Sequence, residues 1–225
     1  MSTTTFDRTP LQALPTPAQE RLSAMVADIQ RSPEAVQRLF PAAAREVGRG
    51  PLDPEDPTGV VGPTLDDVVR GALLEALAEA RADQPAELLA EVEALYRYGD
   101  ADEKRAVLRA LPHLPLGDGA VHLLGDALRA NDVRMIGAAM GSYATAHLDE
   151  DSWRQGVLKC LFVGVPLQAV HGLPQRADGT LADLVAAYAQ ERIAAGRPVP
   201  EDARRVLGDH PDVVAERGLT DELAR

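Results

Sequence analysis

The chain has 225 residues and a formal net charge of −12, which excludes general nucleic-acid binding because that relies on Lys and Arg neutralising phosphates. Hydrophobic residues make up 45% and aromatics only 4%, so the core is built of Ala, Leu and Val, and Thr, Ile, Tyr and Phe are too sparse for a large sheet. A single cysteine, Cys160, excludes an internal disulfide and fits a reducing cytoplasm, and no apolar run approaches the ~20 residues of a membrane helix.

The opening MSTTTFDRTP lacks the basic start and apolar run of a signal peptide, and residues 1–14 read as a flexible leader. TPAQ at 16–19 and SPEA at 32–35 are helix starts, with Pro at the first position after a hydroxyl cap, and predict helices over 17–31 and 33–47. GRGPLDPEDPTGVVGP, 48–63, is dense in Pro and Gly and predicts a long loop, of a length that is often functional or mobile. TLDD at 64–67 opens the next helix, Pro85 another that stops at Gly99, and DADE at 100–103 is a capping box for a third. Helices follow over 118–130, 133–147 and 150–163. Thr180 with Asp183 caps one to about 195, and PEDARRVL, 200–207, is a short last one.

Residues 15–209 thus read as one domain, followed by a C-terminal tail over 210–225. The short connections make neighbouring helices antiparallel. The expected fold is all-α, with antiparallel helical hairpins in a HEAT-like stack or an orthogonal helical bundle. The stretch WRQGVLKCLFVGVPL, 153–167, is almost free of polar side chains and reads as the central helix, enclosed by others.

Several polar residues interrupt the apolar stripes. Lys104 lies in the middle of the stripe Val107, Leu108, Leu111, with Arg105 and Arg109 on its flank. Arg192 falls on the stripe Leu181, Val185, Tyr188. The helix over 133–147 carries Ile136, Met140, Tyr143 and His147 on one face, and Gln155 and Lys159 form the only polar face of the 150–163 helix. Converging on a partly dry cavity, these groups would suit an anionic or hydroxylated small molecule. Taken singly, each has a structural explanation: Lys104 can snorkel, Arg192 complements a helix dipole, and Tyr143 and His147 fit a satisfied core.

Other chemistry lacks its signature. The five histidines show no i,i+4 pair and no cysteine cluster accompanies them, so no metal site is expected. Nucleophile-elbow, phosphate-loop and dinucleotide motifs are missing, and no cofactor is implied. DPEDPTG fails the ligand spacing of a calcium loop. DDVVR, 66–70, has Arg70 where a magnesium-binding terpene-cyclase helix needs a third acid, so Asp66 and Asp67 read as favouring the helix N-terminus electrostatically. Cys160, mid-helix among apolar residues, reads as inert.

Three strings in order, LYRYGDADEKRAVLRALPHLP (95–115), VLKCLFVGVPL (157–167) and YAQERIAAGRPVP (188–200), resemble the EboA family over roughly residues 90–210. Members of that family are metabolite-traffic proteins whose genes cluster with those of a prenyltransferase-like membrane protein, TIM-barrel proteins and a sugar-phosphate-cyclase-like protein. The resemblance implies a cytoplasmic accessory protein of secondary metabolism that handles a small molecule and whose partners are other proteins of its gene cluster. It supplies no catalytic residue set. The chain departs from the family pattern at GSYAT, 141–145, where relatives read like ENPYP, and at GLPQR, 172–176, where they read like GLDRR.

Three functions compete. The first is binding or traffic of a metabolite in a semi-buried basic and aromatic pocket, with Lys104, Arg105, Arg109, Tyr143, His147, Gln155, Lys159, Arg176, Tyr188 and Arg192 as the candidate ligand set. The second is a cofactor-independent cyclase or isomerase using Lys159, His147 or Tyr143 as acid–base groups, with Arg105, Arg109 and Arg192 orienting the substrate. The third is a helical scaffold for another protein. One closed pocket lined by Lys104, Tyr143, Lys159 and Arg192 would support the first two and weaken the third; separately, Lys159 is expected to be largely buried and Arg105 or Arg109 to pair with an acid or ligand.

Overall fold

The computed structural model describes residues 7–223, which form an all-α fold whose only β feature, among the described residues, is an isolated bridge between Pro51 and Thr64. In chain order the helices are α1 (Thr9–Gln12), α2 (Thr16–Arg31), α3 (Val36–Glu46), α4 (Leu65–Ala80), α5 (Pro85–Tyr98), α6 (Ala101–Ala110), α7 (Val121–Arg129) and α8 (Val133–Ala139). They continue as α9 (Ser142–His147), α10 (Glu150–Val163), α11 (Leu173–Arg176), α12 (Gly179–Ala194), α13 (Glu201–Gly208), α14 (Pro211–Glu216) and α15 (Thr220–Leu223). Every second helix packs on the next: α2 on α4, α4 on α6, α6 on α8, α8 on α10 and α10 on α12. None of the described helices is long and apolar enough to cross a membrane.

The predicted starts at 64 and 100 are visible as hydrogen bonds. The Thr64 N–H donates to Asp67 at 2.9 Å, and Asp100 and Glu103 exchange backbone and side-chain bonds at 2.8 and 3.3 Å. The segment 48–63 is non-helical, as its Pro and Gly content requires.

The central helix is α4, not α10. Along α4, residues Asp66–Leu74, Ala76 and Leu77 are all buried, because α2 and α3 cover one side while α6 covers another. Leu73, Leu74 and Leu77 are fully buried, each stabilising the fold by about 1.5–3 kcal/mol. On α10, Trp153, Val157 and Cys160 are fully buried, but Gln155 faces solvent and Phe162 is 61% exposed. Gly164, at φ +78, closes α10 in the left-handed conformation that favours glycine.

Four other expectations are corrected. The predicted helix over 133–147 is two: Met140 gives its carbonyl to the His171 N–H at 2.9 Å, and extended Gly141 begins α9 in a new direction. The cap of α12 is Asp178, which accepts from the Leu181 N–H at 2.9 Å, rather than Thr180. Part of the expected leader is fixed: Arg8 pairs with Glu75 at 2.5 Å and Leu14 is buried, while residues 1–6 lie outside the described residues. The expected tail also packs back, with α14 against α12 and α13, Leu219 buried, and Arg217 paired with Asp183 at 2.5 Å.

Candidate functional site

The i,i+4 spacing of Asp66 and Arg70, with Asp67 between, places three charged groups on the face of α4 that meets α6. Asp102, Arg105 and Arg109 answer them from α6 at i, i+3 and i+7. The Arg105 Nε donates to both oxygens of Asp67 at 3.0 Å, Nη1 to Asp102 at 2.9 Å, and Nη2 to the Thr64 hydroxyl at 2.9 Å and Asp66 at 3.3 Å. Arg70 Nη1 donates to Asp66 at 3.0 Å and Nε to the Phe40 carbonyl at 3.3 Å, with the guanidinium 5.6 Å from the Phe40 ring centre. Asp67 is completely buried, and desolvation raises its carboxyl above the ordinary range although Arg105 and Arg109 pull the other way.

Arg109 reaches past this cluster to the 48–63 strap. Its Nη2 donates to the carbonyls of Gly59 (2.9 Å) and Val60 (3.2 Å), and Nη1 to that of Val61 (3.4 Å), while its Nε stands 3.7 Å from Asp67. The N–H groups of Val60, Val61 and Gly62 all donate to the Asp56 carboxylate at 2.8 Å. Three consecutive peptide groups are therefore clasped between a carboxylate and a guanidinium, their dipoles aligned with both charges. Burial raises the Asp56 carboxyl, but the three N–H donors and Arg109 outweigh it and hold it below the usual carboxylate range. Burial also lowers the Arg109 guanidinium, against the pull of Asp67. The strap comes so close to α8 that a Cβ on Gly137 would lie 2.3 Å from the Val60 carbonyl oxygen.

The strap lies between two cavities. One, of about 550 Å³, has mainly apolar walls from Leu52, Pro63, Val68, Leu108, Pro112 and Ala138, with Arg109, Ser142 and Tyr143 among its other residues. The other, of about 870 Å³, is polar and is lined by Thr64, Asp66, Arg70, Asp102, Arg105 and Arg134, among others. A third, of about 300 Å³, lies apart between α10 and α12, where Phe162 packs edge-on against Tyr188 at 4.9 Å.

The expected single pocket does not form. Lys104 sits 5.4 Å from the Tyr96 ring centre, Tyr143 lines the apolar cavity, Arg192 lines the third, and partly buried Lys159 lines none of the three. Tyr188 shares the third cavity with Arg192; its hydroxyl donates to the Leu161 carbonyl at 3.2 Å, while Arg192 donates to that of Pro198 at 3.1 Å. Gln155 is exposed, and His147 packs on the Tyr143 ring at 4.4 Å without lining a described cavity. The Tyr143 hydroxyl donates to the Gly117 carbonyl at 2.7 Å and accepts from the Ala120 N–H at 3.2 Å, so it ties α9 to the turn before α7. Arg176 donates to the carbonyls of Ala144, Thr145 and Leu148, pairs with Glu150 at 3.0 Å and lies 4.8 Å from the Trp153 ring centre. Of the ten candidates, Arg109 and Tyr143 share one cavity, Tyr188 and Arg192 another, and Arg105 stands in the polar cleft. The expectation that Arg105 or Arg109 pairs with an acid holds for both.

Asp56, Asp66, Asp67, Arg70 and Arg134 were not expected at a site. The available signal was DDVVR followed by GALLEAL: charges at i and i+4 on a helix otherwise apolar all round must find partners indoors. Among the described residues, no group of three or more His, Cys, Asp or Glu is placed to hold a metal ion.

An all-α chain built around a buried ion cluster and a clasped strap is the class this geometry defines. Residues 62–208 match the family of the metabolite traffic protein EboA, and the chain belongs to that family. The match begins well before residue 90, where the recognisable strings start, and takes in the whole of α4. No curated protein and no solved structure matches the chain.

Proposed function

We propose that this protein binds a small-molecule metabolite of secondary metabolism and passes it on, acting in the cytoplasm as an accessory to other proteins of its pathway. The observation that carries this reading is the 550 Å³ cavity between α6, α8, α9 and the strap, a volume in the range of small-molecule sites. Its walls favour a ligand with a largely apolar body. The Tyr143 hydroxyl and the two terminal nitrogens of Arg109 already serve backbone groups, and the Arg109 Nε is buried beside Asp67, so these two side chains offer surface more than hydrogen bonds. The membership in a metabolite-traffic family supports the same reading.

Binding is favoured over catalysis by Tyr143. Burial raises its phenol above the ordinary value and its hydroxyl is held by Gly117 and Ala120, which suits a structural group better than a proton carrier.

The test is mass spectrometry of small molecules released from the protein purified out of its own producing cells, beside a Ser142→Phe variant that places a ring in the cavity wall and narrows it. One discrete compound released from the parent protein, and lost from a variant that melts at the same temperature, supports the reading. Equal release from both, or none from either, overturns it. Conversion of the released compound on renewed incubation would select the enzyme, and release of nothing but a bound protein would select the scaffold.

A further inference from the structure

The polar cleft on the other side of the strap has no part in the apolar-cavity reading. Its walls come from the end of α3, the start of the strap, the first turns of α4 and α6, and Arg134 of α8. Five arginines line it, Arg45, Arg49, Arg70, Arg105 and Arg134, against three aspartates, Asp66, Asp100 and Asp102. Asp67, Glu103 and Asp132 stand against Arg105, Arg70 and Arg134 as well, so the unanswered positive charge of the cleft is that of Arg45 and Arg49.

The arginines differ in what they have left to give. Arg105 is saturated by Asp66, Asp67, Asp102 and Thr64. Arg134 is held by Asp132 and Asp102, both at 2.7 Å. Arg70 is different. Its side chain is only 3% exposed, yet among the described residues its Nη2 has no hydrogen-bond acceptor, the nearest carboxylate oxygen being that of Glu103 at 4.0 Å. This nitrogen is not among the enclosed, unsatisfied side-chain atoms, so it opens to the cleft that Arg70 lines and can donate to a ligand or water there. Arg45, in the last turn of α3, and Arg49, one turn of chain further on, stand at the cleft with no acid or acceptor among the described residues.

We propose that this cleft binds the phosphate group of a small anionic molecule, with Arg70 Nη2 at its base and Arg45 and Arg49 closing on it from the mouth. Phosphate is the chemistry that fits. It offers oxygens in several directions to separate guanidinium groups, and its charge answers Arg45 and Arg49, which no acid among the described residues neutralises, while Arg70 already faces Asp66. The volume of about 870 Å³ leaves room beyond the phosphate for the body of an ester. The site is independent of the apolar cavity, because Ser142 lies in the other wall system and none of the three phosphate-binding arginines lines that cavity.

The experiment is isothermal titration of the full chain at low salt with inorganic phosphate, inorganic diphosphate and glycerol 3-phosphate, with chloride at matched ionic strength as the control. Saturable binding of at least one of the three is expected. The double variant Arg45→Gln with Arg49→Gln, which alters only exposed side chains, is expected to weaken it about tenfold or more without changing the melting temperature in phosphate-free buffer. Arg70→Lys, which keeps the charge beside Asp66 but removes the free Nη2, is expected to weaken it by a similar factor. Tightest binding of inorganic phosphate would identify a site for the free ion, and tighter binding of glycerol 3-phosphate a site for an ester; both support the shared chemistry. No saturable binding up to about 10 mM, or parental affinity in the double variant, would overturn the proposal. Ser142→Phe is expected to leave phosphate binding unchanged, so the two readings fail separately.

Discussion

Asp56 and Arg109 grip opposite faces of the same three peptide groups: the carboxylate takes the N–H of Val60, Val61 and Gly62, and the guanidinium takes the carbonyls of Gly59, Val60 and Val61. Neither residue would hold the strap alone, since each satisfies the half of the backbone that the other cannot.

The grip should respond to acid. Asp56 has a folded value below its ordinary one, so it contributes stability that is fully present above roughly pH 4 and is lost as the pH falls through the folded value. Asp67 works in the other sense: burial raises it, so its contribution weakens as the pH rises from roughly 4 through its folded value. Asp56→Asn is expected to cost about 1–3 kcal/mol at neutral pH and to flatten the acid limb of the stability curve. Chemical denaturation of parent and variant between pH 3 and 7 checks this; an unchanged acid limb would show that Asp56 does not carry it.

Gly137→Ala tests how tightly the strap lies on α8. The new methyl would meet the Val60 carbonyl oxygen at 2.3 Å, and backbone cannot step aside as a flexible side chain would. A loss of about 1–3 kcal/mol is expected, together with faster amide exchange at Val60, Val61 and Gly62. Parental exchange rates at those amides would contradict the close approach.

Arg105 ties α6 to α4 through Asp67. Arg105→Met leaves a fully buried carboxylate with Arg109 as its remaining cation and the Thr64 N–H as its donor, and a loss of about 3–5 kcal/mol is expected. Adding Asp67→Asn to that variant should recover part of the loss, because the stranded charge is removed. Additive losses in the double-mutant cycle would show that the two residues do not interact.

Cys160 should be silent in the folded protein. It is fully buried, and desolvation pushes its thiol up to about 12. A thiol reagent at pH 8 is expected to label it only after denaturation, so labelling at the same rate in native buffer would refute the burial.

The class of fold was legible because helix ends are written locally. TLDD and DADE announce α4 and α6 in four residues each, and Pro85 and Gly99 bracket α5. The convergence of side chains was not legible, because a helical wheel fixes directions within one helix and says nothing of its rotation against the next. Lys104 falls at the centre of an apolar stripe and still turns to the Tyr96 ring, while Arg105, one position on, takes the buried acids. Arg176 stood out as part of a departure from the family pattern, yet its nitrogens hold the last carbonyls of α9. The break at Gly141 was hidden because its cause, the His171 N–H that claims the Met140 carbonyl, lies thirty-one residues away from Met140.

The family match starts at residue 62, but the helix it begins with is covered on one side by α2 and α3, which lie before it. A fragment cut at that boundary would lay bare the leucines and valines of α4 along its length and leave Arg109 with no strap to hold. The stretch that carries the family likeness is therefore not a self-sufficient folding unit in this chain, and attempts to express it alone should give a sticky, self-associating product.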